Sequence, residues 1–163
     1  MLVISRFLIQ AKESYQEIHA SKLYNENSFY PAFVKDLNMC KNELIIESPF
    51  ITNRRLSSLL PVLKTLQAKK VRIVINTRDP IETDDEYQRN EAYRAVSRLQ
   101  HAGVRVLYTK GLHRKLAIID QSILYEGSLN ILSQNDSAEI MRRIISVRLA
   151  AQMASFVDLL RLL

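Results

Sequence analysis

Leucines recur at 56, 59, 60, 63 and 66 among polar positions, a spacing of threes and fours that lines one stripe of a helix over residues 53–68. The same period runs through Phe29, Phe33, Val34, Leu37 and Cys40, where Ser28 supplies an N-cap and Pro31 is tolerated in the first turn. A third helix spans 86–102, burying Ala92, Ala95, Val96 and Leu99, and Gly103 stops it. Between these helices lie short apolar runs of strand character: 43–48 (ELIIES), ended by Pro49; 71–76 (VRIVIN), the clearest; and 104–108. Three more strands follow, at 116–119, 123–125 and 139–145. The closing segment 146–162 predicts a helix whose apolar residues, among them Leu149, Met153, Phe156, Val157 and Leu160, spread round much of its circumference. Such a helix is deeply buried or meets a partner subunit. Strands alternating with helices predict an α/β domain with a mixed or parallel sheet.

The first 24 residues stand apart, with an apolar strand-like run (MLVISRFLI) and then a polar segment of helical character around 12–22 that includes His19, read as a surface residue. The expected division is an N-terminal extension over 1–24, with no legible role, and a domain over 25–163. A length of 163 residues suits one domain, and 47% apolar with 25% charged residues is ordinary globular composition, which argues against a disordered or membrane protein. The opening run is interrupted by Arg6 and has no small-residue cleavage site, so it is not expected to be a signal peptide. A cytoplasmic protein is the expectation. The net charge of +6 favours polyanionic partners without naming one. Cys40 is the only cysteine, which excludes an internal disulfide or thiolate metal cluster and reads as a buried small residue on a helix. His101 falls at a helix end as a capping or surface residue.

Candidate chemistry concentrates in 112–139. His113 and Lys115 are two apart at the start of a strand and therefore share a face, putting a nucleophile beside a cation. After the second short strand, Gly127 and Ser128 let backbone and hydroxyl come close to a ligand, with the Asn130 amide beside them. The set suits a tetrahedral anion. The pattern HxK, four residues, Asp120, six residues, GSxN resembles the signature of the phospholipase D superfamily at every fixed position. The longer run GSLNILSQNDSAEIMRR resembles the nuclease modules of that superfamily attached to DNA helicases and found in restriction endonucleases.

The resemblance implies a phospholipase D-like mixed sheet with helices on both faces. It implies a phosphodiesterase in which two motifs meet at one site, one histidine forming a phosphohistidine while the other serves as acid and then base. One motif copy therefore implies a homodimer. By position, Lys115 and Asn130 would bind phosphate oxygens, Ser128 would add a contact, and Glu139 would orient the histidine. Asp120, at a strand end, is expected to be a structural hydrogen-bond partner. No metal or other cofactor is implied. DNA is the expected substrate, with RNA open. A helicase or other nucleic-acid-processing protein is a candidate partner, and no membrane is expected. Basic residues at Arg54, Arg55, Lys69, Lys70, Arg72, Arg142 and Arg143 favour nucleic acid, and Arg54 and Arg55 fall at a helix N-terminus, which welcomes phosphate. Two alternatives stay in view: a phospholipid hydrolase, disfavoured by the lack of a basic amphipathic membrane element, and a non-catalytic nucleic-acid-binding or dimerisation module. No aromatic cluster suggests a base-stacking platform.

Overall fold

The computed structural model describes residues 20–133 and 137–158. Strand β1 (Ser21–Asn25) leads into helix α1 (Phe29–Met39), β2 (Glu43–Glu47), α2 (Asn53–Ala68) and β3 (Arg72–Thr77). A 3₁₀ turn (Pro80–Glu82) precedes α3 (Glu86–His101) and β4 (Arg105–Tyr108). Then come β5 (Leu116–Ile119), β6 (Ile123–Gly127), β7 (Ile140–Ile145) and α4 (Val147–Phe156). The strands form one seven-stranded sheet in the order β1-β7-β6-β5-β2-β3-β4. The helix-connected strands β2, β3 and β4 are parallel, as crossovers require, and all other pairs are antiparallel. The sheet is therefore mixed. No helix among the described residues is long and apolar enough to cross a membrane.

Alternation along the strands sorts the core into two layers. Leu44, Ile46, Ile73, Ile75, Ala117, Tyr125 and Met141 join the buried side chains of α1, α2 and α3 in one cluster. Ile45, Leu116, Ile118, Leu124 and Ile144 join Ala150, Ala154 and Val157 of the α4 segment in the other. In the larger layer, the rings of Phe29 and Phe33 stack at 5.0 Å and both meet Tyr125 edge-on. The Tyr125 hydroxyl donates to Asp36 Oδ2 at 2.6 Å, and Arg143 grips the same carboxylate through Nε (2.6 Å) and Nη2 (3.1 Å). Burial and the adjacent carboxylate push the Tyr125 phenol far above its ordinary pKa, so it stays a donor.

Several expectations change. Ser28 precedes α1 but makes no side-chain cap; its hydroxyl donates to Asn25 Oδ1 at 2.8 Å, closing the β1–α1 turn instead. The closing helix is not buried all round. Small Ala150 and Ala154 let one face press on the sheet while Val147 (67% exposed) and Phe156 (86%) point outward, and 159–163 lie outside the described residues. Ser21 and Lys22, expected in a helix, are strand, paired with Ile144 and Arg143, and Ala20 is in a turn; residues 12–19 of that segment, His19 among them, lie outside the described residues. Two of the basic residues, Arg143 and Arg72, are engaged by Asp36 and Glu43 within the fold.

The topology collects one set of strand ends. The finishes of β1, β2, β3, β4 and β6 and the starts of β5 and β7 share an edge of the sheet, where α1 and α2 also begin.

Candidate active site

His113 lies three residues before β5 and is exposed, while Leu112 before it is buried and anchors the approach. The Lys115 ammonium donates to the His113 carbonyl at 2.7 Å and lies 3.1 Å from Nδ1 of the ring. An ammonium only donates, so this contact sets a fixed cation beside the imidazole ring. Partial burial lowers the Lys115 pKa, and the Glu139 carboxylate offsets part of that effect. Alternation turns Arg114, between them, the other way. Its Nε and Nη2 clamp Glu47 at 2.6 and 2.9 Å, and Glu47 is fully buried at the end of β2. Asn76 on β3 donates to Glu47 Oε1 at 2.7 Å and accepts from Thr109 Oγ1 at 3.0 Å. A polar chain thus runs from Arg114 through buried Glu47 and Asn76 to Thr109, along the ends of β5, β2, β3 and β4.

Beyond β6, Asn130 is 8% exposed and its Oδ1 has no hydrogen-bond partner among the described residues. It lines a cavity of about 370 Å³ with Glu26, Tyr30, Arg55, Ser133 and Glu139. The Tyr30 hydroxyl donates to the Ile131 carbonyl at 3.2 Å, holding the Asn130 turn against α1. The Arg55 guanidinium lies 3.5 Å from the centre of the Tyr30 ring, a stacked cation–π pair. Burial raises the Tyr30 pKa to about 12 despite Arg55, so the phenol keeps its proton. Glu139 accepts from Ser137 Oγ at 2.9 Å, and its own N–H donates to Glu26 at 3.2 Å.

The other expected site residues divide clearly. Ser128 bonds across to β7: its N–H donates to the Ile140 carbonyl (2.9 Å) and its Oγ accepts from Ile140 N–H (3.1 Å). Gly127 is small because β7 demands it; a Cβ there would come within 2.2 Å of the Ile140 carbonyl oxygen. Asp120 is far from the cavity, at the opposite end of β5. It and Gln121 adopt left-handed φ values of 49° and 53°, turning the chain within the three-residue connection 120–122 to β6. Its carboxylate accepts from the backbone N–H groups of Lys41 (2.9 Å), Asn42 (2.8 Å) and Glu43 (3.0 Å). Arg54 is exposed beside Arg55 and does not line the cavity. Tyr30, Ser133, Glu26 and Glu47 are absent from the sequence-level set. Only Glu47 carried a signal, an acid inside an apolar strand. No three His, Cys, Asp or Glu side chains gather as metal ligands among the described residues.

The comparisons bear on the fold and the family. The sequence profile of the family described as "Cardiolipin synthase, PLD-like domain" matches residues 33–159, well over half the chain. Nuc from Salmonella typhimurium, a phospholipase D family member, superposes with a TM-score of 0.68 at 13% identity, covering 83% of this chain and 90% of its own. NucT from Helicobacter pylori gives 0.68 at 15% identity, covering 85% and 92%. Phosphatidylserine synthase from Haemophilus influenzae gives 0.62 at 16% identity, covering 86% of this chain and 38% of that one. None of the curated protein sequences is a match. With its fold, its spacing of His113, Lys115 and Asn130 and its profile match in accord, the chain belongs to the PLD-like domain family of the phospholipase D superfamily.

Proposed function

We propose that the protein is a phosphodiesterase that cleaves DNA, independently of metal, through a phosphohistidine formed in a site shared by two copies of the chain. The observation that carries this reading is the exposed His113 ring against the Lys115 ammonium at the strand ends that also present the Asn130 cavity. In the proposed step a His113 lone pair attacks phosphorus while Lys115 and Asn130 balance charge on the non-bridging oxygens. As the P–O bond breaks, the leaving alkoxide takes a proton from His113 of the partner subunit. That imidazole, now neutral, takes a proton from water; the water oxygen attacks phosphorus, breaks the P–N bond and restores His113. Glu139, whose charge acts on Lys115, helps keep the cation protonated between turnovers.

A second copy is supported by the single HxK and by the groove beside it. Exposed Leu23, Ile140 and Phe156 line that groove together with Arg114, Lys115 and Gly127. Burying those apolar groups against another copy would bring two half-sites together. Nucleic acid is supported by the net charge of +6 and by Arg54 and Arg55 in the first turn of α2, at the same edge as His113. A phospholipid diester is the second reading, favoured by the family's description and by the likeness to phosphatidylserine synthase.

Incubation with labelled single- and double-stranded DNA, RNA and phosphatidylglycerol vesicles in EDTA tests the reading. Expected are DNA cleavage in chelator, an acid-labile phosphoenzyme, and a dimer in sedimentation. Cleavage that requires magnesium, or an active monomer, would overturn it; cleavage of vesicles alone would select the phospholipid reading.

A further inference from the structure

We propose that a second cavity, between the β2–α2 and β3–α3 connections, holds a nucleobase of the strand whose phosphate meets His113; this rests on the nucleic-acid reading above. The cavity measures about 400 Å³, within the roughly 300–1,000 Å³ usual for small-molecule sites. Phe50, Pro80 and Val96 give it flat apolar walls. Phe50 is 40% exposed, with the Arg78 guanidinium 5.7 Å from its ring centre. Two polar atoms of lining residues, Arg78 Nε and Ser133 Oγ, are buried with no hydrogen-bond partner among the described residues, and Ser133 is only 5% exposed. They offer one fixed donor and one hydroxyl that both donates and accepts.

This cavity adjoins the one lined by Asn130. Ser133 lines both, and its N–H donates to the Asn130 carbonyl at 3.2 Å, so one tight turn separates them. On the other side, Glu82 accepts from Arg78 Nη2 at 3.3 Å and from Gly111 N–H at 2.9 Å, two residues before His113. A phosphate and the base of its own nucleotide are a few bonds apart, which suits adjoining cavities with one polar and one flat lining. The chemistry selects a heterocycle. An acyl chain would leave Arg78 Nε and Ser133 Oγ unanswered, and a free anion would meet the carboxylates of Asp79 and Glu91 in the lining. A base stacks on Phe50 and turns its ring nitrogens and carbonyls to the two unpaired groups.

The test uses fluorescence anisotropy with the full-length His113→Ala protein, which binds without cutting, and labelled single-stranded DNA in which one abasic nucleotide is moved a position at a time. One position is expected at which losing the base weakens binding about tenfold, the effect of one stacked base. Adding Phe50→Ala should weaken binding of the intact strand by a similar factor and remove that position's effect. Ala92→Leu, which narrows the cavity from α3, should do the same without touching the stacking ring. The inference is overturned if no position is sensitive, or if the sensitive position survives both substitutions. Base-dependent binding through Phe50 in a protein whose wild type cuts no DNA would reject the nuclease reading and keep the cavity. Position-independent binding in a protein that does cut DNA would reject the cavity alone.

Discussion

The two ends of β5 carry parts of one motif and do opposite things. At its start, exposed His113 and half-buried Lys115 are bonded to each other and to little else. At its finish, Asp120 is folded back on three consecutive backbone N–H groups of the α1–β2 connection. The first end presents reactive groups; the second fastens β5 beside β2 in the register Leu44↔Ile119. Fixed spacing in a sequence therefore need not mean a single cluster in space, because a short strand between two motif positions separates them by its whole length.

Substitutions at the two ends should separate activity from stability. Replacing His113 with Ala should lower phosphodiesterase activity at least about a thousandfold, the usual effect of losing a nucleophile, with an unchanged melting curve. Arg114 joins the two behaviours, since it sits inside HxK yet bonds inward. Arg114→Ala leaves the Glu47 charge buried and unpaired, so denaturant titration should show a loss of about 3–5 kcal/mol. Glu47→Gln combined with Arg114→Met should recover most of it; a silent Arg114→Ala would remove the buried chain as the support of the pair. At the far end, Asp120→Ala removes a charged acceptor from three N–H groups and should cost about 3 kcal/mol, while kcat per folded molecule stays near wild type. A fall in kcat as large as that of His113→Ala would place Asp120 in the chemistry after all.

The smallest effect is expected in the pH profile. Burial lowers the Lys115 pKa, so the cation is lost at a lower pH than for a free lysine, and kcat/KM should fall on the alkaline side below the ordinary lysine range. A bound phosphate raises that pKa again, so the limb in kcat should lie at higher pH. Lys115→Arg should move both limbs out of reach, and an unshifted limb would assign it to another group.

Much of this arrangement was legible before any coordinates. The helices read over 53–68 and 86–102, the second ending one residue earlier in the structure, the strands that alternate with them and the reading of Asp120 as a hydrogen-bond partner at a strand end follow from period, turn chemistry and spacing. What could not be read was the pairing of charges. Arg143 and Arg55 look alike in sequence, yet one is consumed by buried Asp36 and the other stacks on Tyr30 beside Asn130. Asp36 lies 107 positions from Arg143, and no local pattern announces such a partner. Gly127 was read as room for a ligand because small residues serve both purposes, and only the approach of β7 separates them. The exposed faces of α4 were hidden by its two alanines, whose closeness to the sheet lets the bulkier residues point away.

The central place of β2 has a consequence for synthesis on the ribosome. Every residue of β2 is buried, and one of its two hydrogen-bonding neighbours, β5, begins at Leu116. Until that far stretch emerges, β2 is an open apolar border whose unpaired amides invite pairing with other nascent chains. Truncation before Leu116 should thus yield inclusion bodies rather than a soluble half.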